Sequence, residues 1–305
     1  MNTIWIKKLY KDTIPGLPGY HACCRILRKY RPVHWEWVNR IPVKPGMIVK
    51  IHTAAGDLFM GHPERCSIAK QFFWTRGNRE PAQDRIALDL FAVLAKSSDV
   101  VLDIGASSGL FSLVAARSSP SAQVVAFDIL PEAYHTLVDN LMLNGLMDRV
   151  ESRLVGVGKS DRPFYAPFRR ISSQMPTSFS LYCQLTEGDR VLVPVKTLDE
   201  ICLPRFSGKK MCMKIDVEGA EADIFDQGRE TLRLIRPDII CEVLRRSSQV
   251  DLCDRILSEH GYKKFLISSE GLRRFDRLEP HDRFRDWFFT TKSTMDLKID
   301  ICANR

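Results

Sequence analysis

The run from Val100 to Asp128, VVLDIGASSGLFSLVAARSSPSAQVVAFD, constrains the fold most tightly. It reads as an apolar strand, a glycine turn, a helix and a second strand that ends in a carboxylate. Such a unit opens a crevice beyond the carboxyl end of its first strand, where a ribose-containing cofactor fits. The turn runs Gly105, Ala106, Ser107, Ser108, Gly109 and lacks the full G-x-G-x-x-G spacing of a dinucleotide site. That ranks a dehydrogenase low. Asp103 stands two residues before Gly105, and Asp128 closes the second strand. A carboxylate beside the turn does little for a pyrophosphate but attracts a cationic amino-acid cofactor. The competing structural reading is a buried β-α-β unit with a capping Asp and two backbone glycines.

A second run, MCMKIDVEGAEADIFDQG, predicts a fourth strand over Met211–Ile215 with Asp216 at its carboxyl end. Glu218 follows two residues on, and Glu221 opens the next helix, where a carboxylate favours the positive helix end. Ligands of open α/β sheets bind outside such strand ends, so Asp216 and Glu218 approach the crevice of Asp103 and Asp128. Gly219 allows a close backbone turn there. The fifth strand is PDIICEVL, and Glu242 inside it needs a partner or a route to solvent. It either faces the pocket or pairs with Arg245 or Arg246. Asp216, Glu218 and Glu242 are the candidate catalytic carboxylates. One of them can accept a proton from an alcohol, and close spacing raises their pKa values. They are also the candidate ligands if a divalent cation such as Mg2+ takes part.

The rest of the chain fits around these runs. Pro42 to His62 alternates and predicts two short strands joined near Ala54 to Asp57, with Phe59 and Met60 inward. EPAQDRIALDLFAVLAK, which begins at Glu80, reads as a helix with Ile86, Leu90 and Leu94 on one face. Pro131 to Asn144 is helical, with Tyr134, Leu137, Val138 and Leu141 buried. Arg149 to Gly158 carries the third strand, whose end places Val157 beside an adenine ring. Residues 159–196 read as a hairpin or loop near the pocket mouth, with Ser172, Ser173, Thr177 and Ser178 as polar candidates for substrate contact. Val250 to Glu259 is a helix, Tyr262 to Ile267 a sixth strand, and DWFFTT from Asp286 the last strand, with Trp287, Phe288 and Phe289 closing the core. His52, His62, His135 and His260 share no short spacing and suggest no metal cluster or catalytic imidazole.

The 305 residues carry a formal charge of +8, enough chain for one large domain with an extension. The division falls at 1–79, a helical and short-strand extension; 80–292, the main domain; and 293–305, a polar tail. The basic, aromatic N-terminal segment (Trp5, Lys7, Lys8, Tyr10, Lys11, Arg25, Arg28, Lys29, Tyr30, Arg31) reads first as a cap over the core. Nine cysteines without a C-x-x-C give no zinc, iron–sulfur or thioredoxin-like pattern. No run is long enough to span a membrane, and the expected location is the cytoplasm. A homo-oligomer is left open.

Three runs carry a family resemblance. K-I-D-V-E-G-A-E, followed by F-D-Q-G and R-P-D-I-I-C-E, resembles the FkbM-family methyltransferases, a branch of the class I fold that uses S-adenosylmethionine. The likeness covers roughly residues 80–292, and Ser107 stands where Asn is frequent in the family. It implies a Rossmann-like α/β fold with a mostly parallel seven-stranded sheet and a C-terminal antiparallel strand. The implied cofactor-binding set is Glu80, Asp103, Gly105, Ala106, Ser107, Gly109, Asp128, Val157 and Asp216. The implied activity is O-methylation of a sugar, a glycosylated metabolite or another small natural product. Methylation of RNA or protein is the enzymatic alternative, with nucleic acid disfavoured because no RNA-binding motif accompanies the charge. A non-catalytic binding protein on the same fold is the other.

Overall fold

The computed structural model describes residues 13–30, 41–160, 164–167, 175, 181, 190–244 and 249–293. Trp5, Lys7, Lys8, Tyr10, Lys11, Arg31, Ser172, Ser173, Thr177, Ser178, Arg245, Arg246 and the tail beyond 293 lie outside them. A 3-10 turn at Ile14–Gly16 precedes α1 (Tyr20–Tyr30). A hairpin follows, β1 (Val49–Thr53) and β2 (Gly56–Met60), and then α2 (Ser67–Trp74) and α3 (Ala82–Lys96). His21 meets the Phe73 ring edge-on at 5.0 Å, and the Arg25 guanidinium lies over the same ring, so α1 covers α2.

The Rossmann-like part begins with β3 (Val100–Ile104), α4 (Leu110–Ser118), β4 (Gln123–Asp128), α5 (Pro131–Leu143) and β5 (Val150–Leu154). Short strands β6 (Gly156–Val157), β7 (Phe164–Pro167), β8 (Arg190–Val193) and β9 (Val195–Lys196) lead to α6 (Leu198–Phe206). Then come β10 (Met211–Ile215), α7 (Glu221–Asp226), α8 (Arg229–Leu234), β11 (Asp238–Glu242), α9 (Val250–Glu259), β12 (Lys263–Ser268), β13 (Gly271–Phe275) and β14 (Asp286–Thr290).

One eight-stranded sheet runs in the order β13-β12-β14-β11-β10-β3-β4-β5. β11, β10, β3, β4 and β5 run parallel to one another, and β14 is inserted antiparallel between β11 and β12. The seven expected strands are present; β13, an antiparallel partner of β12, adds an eighth at the edge. The third strand also stops earlier than expected. It ends at Leu154, and Val157 belongs to β6, which pairs with β9 instead of the main sheet.

The sheet is buried on both faces because alternate residues of each strand feed opposite layers. Val101, Cys212, Val124, Ala126 and Phe288 join the layer of α3, α4 and α5. Val100, Leu102, Ile104, Met213, Ile215 and Phe289 join the layer of α6, α7 and α9. Trp287, Phe288 and Phe289 are almost fully buried, which makes them core, each contributing about 1.5–3 kcal/mol by leaving water. In the hairpin, Met60 is buried but Phe59 is 42% exposed, which corrects the inward placement of both. Adjacent strand residues point to opposite faces, so only one of the two can be buried there. On α5 the buried stripe runs through Ala133, Leu137 and Leu141, and Tyr134 and Val138 sit half-buried at its margin.

Candidate functional site

Four strands bring their carboxyl ends to one level. Ile104 pairs with Phe127 on one side and Ile215 on the other, and Ile215 pairs with Cys241. The next residue of each strand is therefore Asp128, Gly105, Asp216 and Glu242, read across β4, β3, β10 and β11. At about 4.8 Å per strand this row spans roughly 14 Å. A cavity opens above it, walled by Gly105, Ser107, Phe127, Asp128, Ile129, Leu130, Ala133, Val155, Val157, Asp216, Val217, Glu218 and Glu242. Leu181 completes it from the segment expected at the pocket mouth, and Ser67 and Ile68 from the start of α2.

The turn after β3 is held by close backbone contact. Gly105 N–H and Ala106 N–H both donate to the Phe127 carbonyl, at 3.0 and 2.9 Å, and Asp216 N–H donates to the Ile104 carbonyl at 2.9 Å. Gly105 has φ +80°, and a Cβ there would stand 1.9 Å from the Asp216 carbonyl oxygen. No side chain fits that crossing. Gly109, at φ +82°, caps the N-terminus of α4.

Asp128 is fixed by that turn. One carboxylate oxygen accepts Ser107 N–H at 2.7 Å, and the other accepts Leu130 N–H at 2.8 Å. Burial pushes its pKa up to about 6 against the lowering effect of these bonds. Each carboxylate oxygen keeps accepting capacity toward the cavity.

Asp103 takes a different place from the one expected. It does not line the cavity; it is 1% exposed, and one oxygen accepts both Ser112 N–H at 2.9 Å and Ser112 Oγ–H at 2.6 Å. The reason is strand alternation: Asp103 pairs with Lys214 and shares the α4 face of the sheet. Burial raises its pKa to about 6. Ala106 and Gly109 shape the turn from behind, and Glu80, next to the cis Glu80–Pro81 bond, is also absent from the cavity wall.

The other side of the row is acidic. One carboxylate oxygen each from Asp216, Glu218 and Glu242 lies within 4.8 Å of the others. Glu218 sits in the loop after β10 at φ +55°, and burial, followed by the Asp216 charge, pushes it up to about 7. Burial and the Asp216 charge likewise hold Glu242 protonated well above neutrality. Its nearest described cation is Arg285, at 3.8 Å. Glu221 turns away: it accepts Gly219 N–H at 2.9 Å at the start of α7, the helix-end role open to it from sequence.

Sequence reasoning missed the charge beneath this cluster. Lys214, buried in β10, extends its ammonium to Asp286 at 3.0 Å and Asp216 at 3.5 Å, with the Phe111 ring 5.4 Å away. Burial opposes its charge, but the Asp286 and Asp216 carboxylates more than compensate, so it stays protonated. Asp84 of α3 joins the network, paired with Arg79 at 2.9 Å and raised by burial to about 6. The available signal was a lysine inside an otherwise apolar strand, MCMKI.

The FkbM methyltransferase domain matches residues 103–264, more than half of the chain. The chain belongs to the FkbM methyltransferase family. It is thus placed among the methyltransferases. Methyltransferase 1 of Beauveria bassiana is 26% identical over 191 residues, covering 56% of this chain and 71% of that protein. A ribosomal protein L11 methyltransferase of Geobacter sp. is 31% identical over 157 residues, covering 48% of this chain and 50% of that protein. The 2-O-methyltransferase NoeI of Sinorhizobium fredii is 26% identical over 178 residues, covering 53% of this chain and 71% of that protein. The chain therefore spans only half the length of the ribosomal-protein relative. Among the described residues no helix is long and apolar enough to cross a membrane.

Proposed function

We propose that this methyltransferase acts on a hydroxyl of a small or sugar-containing acceptor, with Glu218 taking the hydroxyl proton. The observation that carries the reading is the level row Asp128–Gly105–Asp216–Glu242 with Glu218 over its acidic end. When bound, S-adenosylmethionine supplies a methyl group already activated on a sulfonium, which leaves alignment and one proton to the protein. Asp128, oriented by Ser107 and Leu130, accepts the two ribose hydroxyls. The Gly105–Ser107 turn gives backbone approach to the amino-acid end, and Phe127, Val157 and Leu181 offer an apolar wall to the adenine. Asp103 supports the turn through Ser112 rather than touching the cofactor.

At the acceptor end, a base is most useful when its pKa lies near the working pH, which suits Glu218. Glu242, protonated, donates a hydrogen bond to the acceptor, and Asp216 stays anchored over Lys214. The Asp216 and Glu218 carboxylates in one mouth disfavour a phosphate-bearing acceptor, which sets nucleic acid aside despite the basic composition. The name of the Sinorhizobium relative, a 2-O-methyltransferase, favours oxygen as the acceptor atom; that of the Geobacter relative keeps protein acceptors as the alternative.

A second reading rests on the same 4.8 Å cluster: its all-oxygen donor set suits a hard cation, and Asp216, Glu218 and Glu242 would then hold Mg2+. The acceptor assignment is tested by incubating the protein with methyl-labelled S-adenosylmethionine and a panel of polyols, glycosides, amines, peptides and RNA. Label on a polyol oxygen supports the proposal. Label on nitrogen, or on peptide or RNA alone, overturns it. Loss of transfer on chelation, restored by Mg2+, would move the account to the cation reading.

A further inference from the structure

The strand, glycine turn and acidic loop account for most of the cavity, but two wall residues, Ser67 and Ile68, come from a part of the chain far from them in sequence. Something must hold that segment at a fixed distance from the glycine turn. One side chain bridges the two directly. Asn140, on α5, is fully buried. Its Oδ1 accepts Gly61 N–H at 2.8 Å, and its Nδ2 donates to the Ser108 carbonyl at 2.8 Å. Gly61 begins the stretch that leads to Ser67; Ser108 follows Ser107 in the turn. We propose that Asn140 is a positioning residue for the cofactor pocket, setting the 61–68 segment and the 105–109 turn as two walls of one cavity. This rests on the reading of that cavity as the S-adenosylmethionine site.

Neighbouring contacts run in the same direction. Asn144, one helical turn on, accepts Phe59 N–H at 2.8 Å and donates to the Phe59 carbonyl at 2.7 Å, so the end of β2 lies along α5. His62 Nε2 meets Asp139 at 2.8 Å. A Cβ on Gly61 would stand 3.2 Å from Leu143 Cδ1, a tight approach of the 61–68 segment to α5 that a small shift of the exposed leucine side chain would relieve. Beyond them, Cys66 Sγ caps α2 by accepting Ala69 N–H at 3.5 Å.

The chemistry at position 140 demands both a donor and an acceptor. Asp would set a carboxylate oxygen against the Ser108 carbonyl, and Leu would leave a buried N–H and a buried C=O unmade. Neither change touches the acidic cluster. The expected signature is therefore a split: a weaker cofactor with turnover nearly intact once the cofactor saturates.

The experiment is calorimetric titration of wild type, Asn140→Asp and Asn140→Leu with S-adenosylhomocysteine, with KM and kcat for methyl transfer. Binding should weaken by about tenfold or more in both variants, as for a buried hydrogen bond left unmade. KM for S-adenosylmethionine should rise in parallel and kcat should hold. Hydrogen exchange on the wild type adds a readout that needs no variant: saturating S-adenosylhomocysteine should protect amides in 61–68 together with those in 105–109. Wild-type affinity in folded variants, a fall in kcat without a rise in KM, or protection confined to 105–109 overturns the proposal. Absence of S-adenosylhomocysteine binding to the wild type would instead overturn the reading of the cavity itself.

Discussion

At Asp128 each carboxylate oxygen accepts a backbone N–H, from Ser107 and from Leu130. At Asp216, Glu218 and Glu242 the carboxylates face one another within 4.8 Å, over the Lys214 ammonium. Both groups stand at the same level of the same sheet, two or three strands apart. The first arrangement is preorganised: rigid donors set the direction of a charge that need not change when hydroxyls arrive. The second is crowded, so its protonation responds to whatever enters. The contrast separates a side built to hold from a side built to exchange a proton, and substitutions along the row should divide the same way.

The largest effect is expected at Glu218. Glu218→Gln should lower kcat by about 10²–10⁴-fold, the range for losing a general base, with little change in cofactor KM. In the wild type kcat should rise with pH through about 7, because the ionised carboxylate is the active form; that limb should vanish in the variant. Gly105→Ala comes next. A Cβ 1.9 Å from the Asp216 carbonyl in a left-handed turn should cost about 3 kcal/mol or more, read as a lower thermal midpoint and loss of S-adenosylhomocysteine binding. Asp128→Asn should weaken S-adenosylhomocysteine by about 1.5–3 kcal/mol in calorimetry, the value of a charge-assisted hydrogen bond.

Asp103→Asn should leave cofactor affinity close to wild type and change the pH dependence of stability. Its carboxyl has a folded pKa of about 6 against the ordinary 3.8, so the proton is bound more tightly in the native state. Its stabilising contribution is fully present below the unfolded pKa and is lost as pH rises through about 6, a difference of about 3 kcal/mol as an upper figure. Denaturant melts at acid and neutral pH should show that loss in the wild type and less of it in the variant. Glu242→Gln should have the smallest effect on kcat, since Gln resembles the protonated acid; a large loss, rescued by added Mg2+, would favour a shared cation.

These carboxylates also show what was legible in the sequence. Asp128 and Asp216 were readable because each ends an apolar strand, and strand ends of an open parallel sheet converge on one crevice; Glu242 was readable as a charge inside an apolar run. The same logic misplaced Asp103. It lies inside its strand, two residues before the turn, and alternation sends it to the α4 face with Lys214. Lys214 and Asp286 stood in plain view in MCMKI and DWFFT, yet their pairing depends on β14 entering beside β11, a long-range register that local pattern does not encode. Ser67 and Ile68 were invisible for a similar reason. Their place on the cavity wall follows from tertiary bonds between Gly61, Asn140 and Ser108, not from any motif around them. The edge strand β13 and the exposed Phe59 belong to short hairpins, where alternation alone does not say which face meets the core.

The central claim is the division of labour along the row, and one paired measurement tests it most directly. Steady-state kinetics of Asp128→Asn and Glu218→Gln, at saturating acceptor and varied S-adenosylmethionine, separate holding from proton exchange. The account predicts that Asp128→Asn raises KM for the cofactor and leaves kcat near wild type, while Glu218→Gln lowers kcat and leaves KM unchanged. If both substitutions move the same parameter, or if Glu218→Gln retains wild-type kcat, the account is contradicted.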